Sequence, residues 1–134
     1  MFGSSLNEAS YYLASVAGGR NNTASGNSSS VFGGSLNEAS GSLASVSGGR
    51  DNTASGNSSS LYGCDANDAR HCFALVAGRR NKNDSGISSL VFACSFNEAR
   101  HSLGFVYSGR DNTSLRHYYS DITAPVTSSL LISA

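Results

Sequence analysis

The stretch SVSGGRDNTASGNSSS, residues 45–60, decides the fold of this chain. Nearly the same phrase, SVAGGRNNTASGNSSS, stands at residues 15–30. The same pattern extends before and after these two copies, so that residues 1–120 divide into rows of 15 residues without insertion or deletion. Such a regular period predicts a repeat architecture, in which each row returns its side chains to the same environment.

The rows share a set of fixed columns, numbered here so that Met1 stands in column one. Column one is Val in six of the eight rows, column seven is Asn in seven, and column nine is Ala in six. Odd rows carry an aromatic residue in column two, and even rows carry Arg in column five. The physical unit is therefore one row, and the sequence repeat is a pair of rows.

Each row is predicted to form one coil of a parallel β-solenoid, or β-roll. Gly, Ser, Asn and Val are poor helix formers, and helical repeats need about 33–47 residues. We expect strands over residues 45–48 and 53–55 in the row that begins near Ser45. Turns are expected over 49–52 and 56–57, where Gly and Asn tolerate positive φ. Residues 1–120 are thus an all-β repeat domain of eight coils.

Residues 121–134 follow the last row and are predicted to be a C-terminal cap or tail. Rows five to eight also drift from the consensus, because Cys and Arg-His enter columns that hold Gly and Ser in the first half. Solenoids need atypical terminal repeats, but decayed repeats would look the same. The sequence leaves both interpretations open.

Column two predicts a stripe of aromatic side chains on the outside of the solenoid, because it lies on the strand face opposite to column one. Its members, about 9.6 Å apart on alternate coils, are Phe2, Phe32, Tyr62 and Phe92. The Val and Ala columns make a thin core that buries little apolar area. We therefore predict that the stripe is an interface with another chain in a homo-oligomer.

Composition argues against several functional classes. The formal net charge is zero and 13% of the residues are charged, whereas nucleic-acid binding needs clustered Lys and Arg. No window is long and apolar enough to span a membrane, so no membrane contact is expected from this segment. No Gly-x-Ser-x-Gly nucleophile elbow occurs. We therefore expect no enzyme, no cofactor and no metal site.

The cysteine and histidine residues fit the same interpretation. Cys64 and Cys94 share a column two coils apart, about 9.6 Å, which exceeds the disulfide reach of about 7 Å. We expect these two and Cys72 to be free thiols, with an interchain bridge as the minor alternative. His71 and His101 are also two coils apart, too far to share one metal ion easily.

The two copies at residues 15–30 and 45–60 resemble the head repeats of trimeric autotransporter adhesins, the YadA-like family. Those heads repeat a Ser-Val-x-Gly-Gly…Asn-x-Ala-Ser-Gly phrase, and the resemblance covers residues 1–120. It implies a left-handed parallel β-roll wound into a homotrimer on the bacterial outer surface. It also implies multivalent binding to host matrix or cell-surface molecules. No signal peptide is visible, so we expect the export signal and the anchor to lie outside this sequence.

Two other functions remain open. The same module occurs in phage-fibre-like proteins, where it is a structural spacer without a ligand. Some β-solenoids bind ice through flat arrays of Thr, and Thr23, Thr53 and Thr113 share column eight here. Asn83 interrupts that series and odd coils hold acids in the same column, so an ice-binding surface is the weakest of the three hypotheses.

Overall fold

The computed structural model describes residues 6–80, 82–84, 87–95, 98–99, 105–107, 112–114, 120–122 and 129–131. Within these residues the chain alternates between two parallel β-sheets. The nine-stranded sheet consists of β1 (Glu8–Ala9), β3 (Thr23–Ala24), β5 (Glu38–Ala39), β7 (Thr53–Ala54), β9 (Asp68–Ala69), β11 (Asn83–Asp84), β13 (Glu98–Ala99), β15 (Asn112–Ser114) and β17 (Ser129–Leu131). The eight-stranded sheet consists of β2 (Ser15–Val16), β4 (Ser30–Val31), β6 (Ser45–Val46), β8 (Ser60–Asp65), β10 (Leu75–Arg80), β12 (Leu90–Ser95), β14 (Phe105–Tyr107) and β16 (Ser120–Ile122).

The strand register follows the sequence period. Val31 pairs with Val46 in the eight-stranded sheet, and Ala39 pairs with Ala54 in the nine-stranded sheet. Each row is therefore one coil, and the predicted parallel β-solenoid is confirmed. β6 and β7 begin at the expected residues but end earlier than predicted. The first turn begins sooner because Gly48 already leaves the extended region, with φ +132°.

Strand length changes in the second half of the chain for a local reason. In column four, Gly19, Gly34 and Gly49 hold φ between +83° and +90°, a conformation that favours glycine. Cys64 and Arg79 stand in that column in the next two coils. A side chain disfavours the left-handed turn, so β8 and β10 continue for six residues each.

The core lies between the two sheets. Side chains of column one, such as Val46 and Leu61, and of column nine, such as Ala39 and Ala54, are fully buried as predicted. Column fourteen, for example Ala44, is buried as well, which the sequence interpretation did not anticipate. All these side chains are small or of medium size, so the two sheets enclose a thin interior.

A ladder of asparagines in column seven runs along one edge of the core. Asn22, Asn37, Asn52 and Asn67 are buried, although this column was predicted to lie in a positive-φ turn. The backbone N–H of Asn52 donates to Oδ1 of Asn37 at 3.1 Å. Nδ2 of Asn37 donates to the carbonyl oxygens of Gly33 and Gly49, both at 3.0 Å. The ladder thus satisfies backbone groups of the turn, and the left-handed residue is the one before it, as at Asp51 (φ +57°).

The segment predicted as a cap or tail adds to both sheets. β16 pairs with β14, with Ser120 beside Phe105. β17 pairs with β15, with Ser129 beside Asn112. The described parts of residues 121–134 therefore continue the stack of coils.

Candidate functional site

Three aromatic side chains, called here the aromatic stripe, lie on the outer face of the eight-stranded sheet. They are Phe32, Tyr62 and Phe92, which are 61%, 52% and 37% exposed. Each directly follows a buried residue of column one, and successive side chains of a strand alternate between its two faces. Phe2, the fourth predicted member, lies outside the described residues.

Small residues separate the members of the stripe. Ala77 pairs with Tyr62 on one side and with Phe92 on the other. Ser47 occupies the equivalent place between Phe32 and Tyr62. With parallel strands about 4.8 Å apart, the rings recur about every 9.6 Å. The surface therefore alternates between aromatic ridges and shallow troughs.

Column two, which holds the stripe, and column fifteen, which flanks it, are uncharged within residues 15–92. Column fifteen lies beside column two on the same face, and in the first half it holds half-buried serines such as Ser30, Ser45 and Ser60. In the second half the column changes to half-buried leucines, Leu75 and Leu90. Within residues 15–92, columns fifteen and two contain only Ser, Ala, Leu, Phe and Tyr. These two columns therefore combine apolar contact area with hydroxyl groups and carry no charge within residues 15–92.

The outer face of the nine-stranded sheet differs in chemistry. Column eight alternates there between acids and Thr or Asn, because Thr53 pairs with Glu38 on one side and with Asp68 on the other. Thr23 is flanked in the same way by Glu8 and Glu38. Each of these two Thr residues therefore has a carboxylate on both adjacent strands, unlike the residues of a flat Thr array. Thr113 lies in β15, where side chains are not described.

A second apolar surface, called here the turn ridge, lies on the turn that follows the nine-stranded sheet. It consists of Leu13, Leu43 and Phe73, which are 70%, 59% and 64% exposed. All three have φ between +53° and +57°, which is uncommon for bulky residues. The even coils place serines such as Ser58 at this position. The alternation in column thirteen was visible in the sequence, but its place on an exposed turn was not.

One coil carries opposite charges inside the core. Lys82 replaces the ladder asparagine and Asp84 replaces the column-nine alanine, and both are fully buried. Nζ of Lys82 donates to the carbonyl oxygen of Ala77 at 2.8 Å. The Ser89 hydroxyl donates to a carboxylate oxygen of Asp84. The sequence showed Lys82 as an exception to its column, but nothing in the period indicated that it would be buried.

The remaining predicted features are at the surface or outside the described side chains. Cys72 is an exposed free thiol, and His71 beside it is also exposed. The side chains of Cys64 and Cys94, and all of His101, are outside the described part of the chain. Among the residues that are described, no group of His, Cys, Asp and Glu is arranged to hold a metal ion. The same residues contain no helix with the length and apolar character needed to cross a membrane.

Arg50 lies on the turn next to the aromatic stripe and is paired with Asp65 in the following coil, at 3.5 Å. This contact joins equivalent positions of adjacent coils. Arg70 pairs with Asp68 of its own coil at 2.6 Å. Both arginines are largely exposed, so these pairs contribute at most about 1 kcal/mol each.

Taken together, the two sheets, the ladder and the periodic surfaces define a β-solenoid repeat protein. One of its faces carries the aromatic stripe, and the other alternates acids with Thr or Asn. No protein-family model matches the chain. Likewise, the comparisons found no matching curated protein and no matching solved structure.

Proposed function

We propose that the chain is an adhesive surface module that binds a macromolecular ligand through repeated contacts along the aromatic stripe. The observation that supports this most directly is the recurrence of an exposed aromatic side chain on every second coil, at Phe32, Tyr62 and Phe92. A row of exposed apolar side chains is typical of an interaction site. The proposal needs neither catalysis nor a cofactor.

Multivalency supplies the affinity in this proposal. One aromatic contact contributes only about 0.5–1.5 kcal/mol beyond its area. Equivalent sites on one rigid scaffold act together, because the first contact raises the effective concentration for the next. A ligand that is itself repetitive therefore gains most from the stripe.

The resemblance of residues 15–30 and 45–60 to trimeric autotransporter heads supports the location and the partners. On that basis we propose a left-handed, homotrimeric head at the bacterial cell surface, with host matrix or cell-surface molecules as ligands. Light scattering should give a mass near three times 13.8 kDa.

A plate assay with immobilised collagen, other matrix proteins and whole cells tests the adhesive function. We expect the wild-type chain to bind and a variant with Phe32→Ala and Tyr62→Ala to lose most of that binding. The matched control carries Leu43→Ala and Phe73→Ala on the turn ridge and should keep it. If the two variants bind equally, the stripe is not the contact surface.

A structural spacer is the second candidate. The alternation of large and small residues in column two favours it, because the ridges of one copy fit the troughs of another. In this case the stripe is buried between copies and the oligomer binds neither matrix proteins nor cells. A stripe variant that becomes monomeric, together with a wild type that binds nothing, would establish the spacer.

A further inference from the structure

We propose that the ligand of the aromatic stripe is an uncharged, β-1,4-linked polysaccharide whose sugar rings stack on Phe32, Tyr62 and Phe92. This inference rests on the proposed function, since it names the chemical class of ligand for the same surface. It is carried by the spacing of the stripe, by the neutrality of columns fifteen and two, and by the hydroxyl groups of column fifteen.

The spacing of the stripe matches the repeat of a β-1,4-linked chain. The rings recur about every 9.6 Å along a straight line, because two parallel-strand steps separate them. Two successive rings of a β-1,4-linked chain span a similar length. Each sugar ring is turned over relative to the last, so every second ring presents the same C–H face. A straight chain laid along the stripe therefore meets one aromatic ring per disaccharide at Phe32, Tyr62 and Phe92.

The troughs and their neighbours provide the second argument. The intervening sugar rings would lie over Ser47 and Ala77, which are too small to obstruct them. Column fifteen places the hydroxyls of Ser30, Ser45 and Ser60 beside the stripe, on the same outer face. Carbohydrate sites combine apolar stacking area with hydrogen-bonding groups that fix the orientation of the sugar. This face supplies both around Phe32 and Tyr62.

Charge is the third argument. The described residues of columns fifteen and two carry no charge, so the stripe and its flanking column match a neutral polymer. Acidic polysaccharides would need cations within these two columns, and the described residues of both columns hold none. Arg50, on the adjacent turn, is paired with Asp65. Charge complementarity therefore favours a neutral chain over an anionic one.

Depletion from solution by insoluble polysaccharides tests this inference. The probes are microcrystalline cellulose and chitin, both β-1,4-linked, with insoluble amylose as the α-linked comparison. We expect cellulose or chitin to bind the wild-type chain and amylose not to. Phe32→Ala with Tyr62→Ala should weaken binding at least about tenfold, since each ring contributes a stacking contact. Leu43→Ala with Phe73→Ala should leave it unchanged.

A substitution that adds apolar area separates periodic stacking from general adsorption. Ser47→Tyr places a ring in the trough, where the intervening sugar must pass, so we expect weaker binding to cellulose and chitin. Tighter binding by this variant would overturn the inference, because simple hydrophobic adsorption grows with aromatic area. Circular dichroism should show that the fold is intact, as all the substituted residues lie outside the core.

The outcomes distinguish this inference from the proposed function. If neither cellulose nor chitin binds while collagen or cells bind through Phe32 and Tyr62, the ligand is a protein. The inference then fails and the adhesive function stands. If nothing binds and the stripe variant changes the oligomeric state, another copy covers the stripe and both proposals fail. Binding to cellulose or chitin that depends on the stripe supports both.

Discussion

Removing the carboxylate of Asp84 should destabilise the chain strongly, whereas removing both core charges should not. Asp84 lies in β11 and Lys82 stands two residues earlier, just before that strand, and both side chains are fully buried. The two departures from the Asn and Ala columns occur together in this coil, which indicates that one charge compensates the other. A lone ammonium group in this interior would lack that compensation.

The magnitude follows from the surroundings. Asp84→Ala restores the residue that fills this column in neighbouring coils, as at Ala54 and Ala69, so neither a cavity nor a clash is expected. The remaining effect is the uncompensated charge of Lys82, and leaving a buried charge without its opposite charge costs about 3–5 kcal/mol. Adding Lys82→Asn restores the ladder residue, so the double variant should equal the wild type or exceed it by about 1–4 kcal/mol.

Urea unfolding followed by circular dichroism measures these differences as a double-mutant cycle. Asp68→Ala is the matched control, because Asp68 faces outward on the neighbouring strand and pairs with Arg70, whose side chain is largely exposed. That control should change the free energy of unfolding by at most about 1 kcal/mol. If Asp84→Ala were no less stable than Asp68→Ala, or if the double variant were less stable than Asp84→Ala, the compensation argument would be wrong.

Three further predictions concern the ladder, the turns and the turn ridge. Asn37→Ala should lower the free energy of unfolding by about 1–3 kcal/mol, since the backbone N–H of Asn52 loses its buried acceptor; urea titration measures it. Gly41→Ala should cost about 1–3 kcal/mol, because a Cβ there would lie 2.1 Å from the carbonyl oxygen of Gly56; the melting temperature reports the loss. Leu43→Asn should raise stability by about 1 kcal/mol, since Asn adopts the left-handed conformation more readily; thermal unfolding shows the direction.

Matched controls accompany these three variants. Asn57→Ala removes an exposed turn asparagine and should change stability by less than about 0.5 kcal/mol. Ser55→Ala adds no atoms near a neighbouring coil and should be equally mild. Ile87→Asn replaces an exposed turn residue that has no positive φ, so it should not stabilise. If a variant and its control changed the free energy of unfolding equally, the structural explanation for that variant would be wrong.

Much of the fold could be predicted because the period imposes identical neighbours on each coil. Val in column one and Ala in column nine identified the two inward positions, and the register of 15 residues followed from the row length. The outward direction of Phe32 and Tyr62 followed from strand alternation alone. These predictions need only local geometry and repetition, both of which can be read from the sequence.

Other features depend on partners one coil away. The ladder asparagines looked like turn residues, because the groups that they bind, such as the carbonyl of Gly49 for Asn37, become neighbours only when coils stack. The turn ridge could not be predicted either, since the sequence does not show that Leu43 has positive φ on an exposed turn. Repetition shows which residues are equivalent, but not what they contact.

The sequence by itself determined the coil length, the alternation of odd and even coils and the inward Val and Ala columns, because these follow from a period that stacking must preserve. The tertiary structure alone decided where the polar columns lie. It turned the Asn column inward, buried Lys82 and Asp84 in one coil, and left the aromatic stripe and the turn ridge on separate surfaces. The physical reason is that burial and hydrogen bonding of a polar side chain depend on the coils above and below it, which only the folded stack brings together.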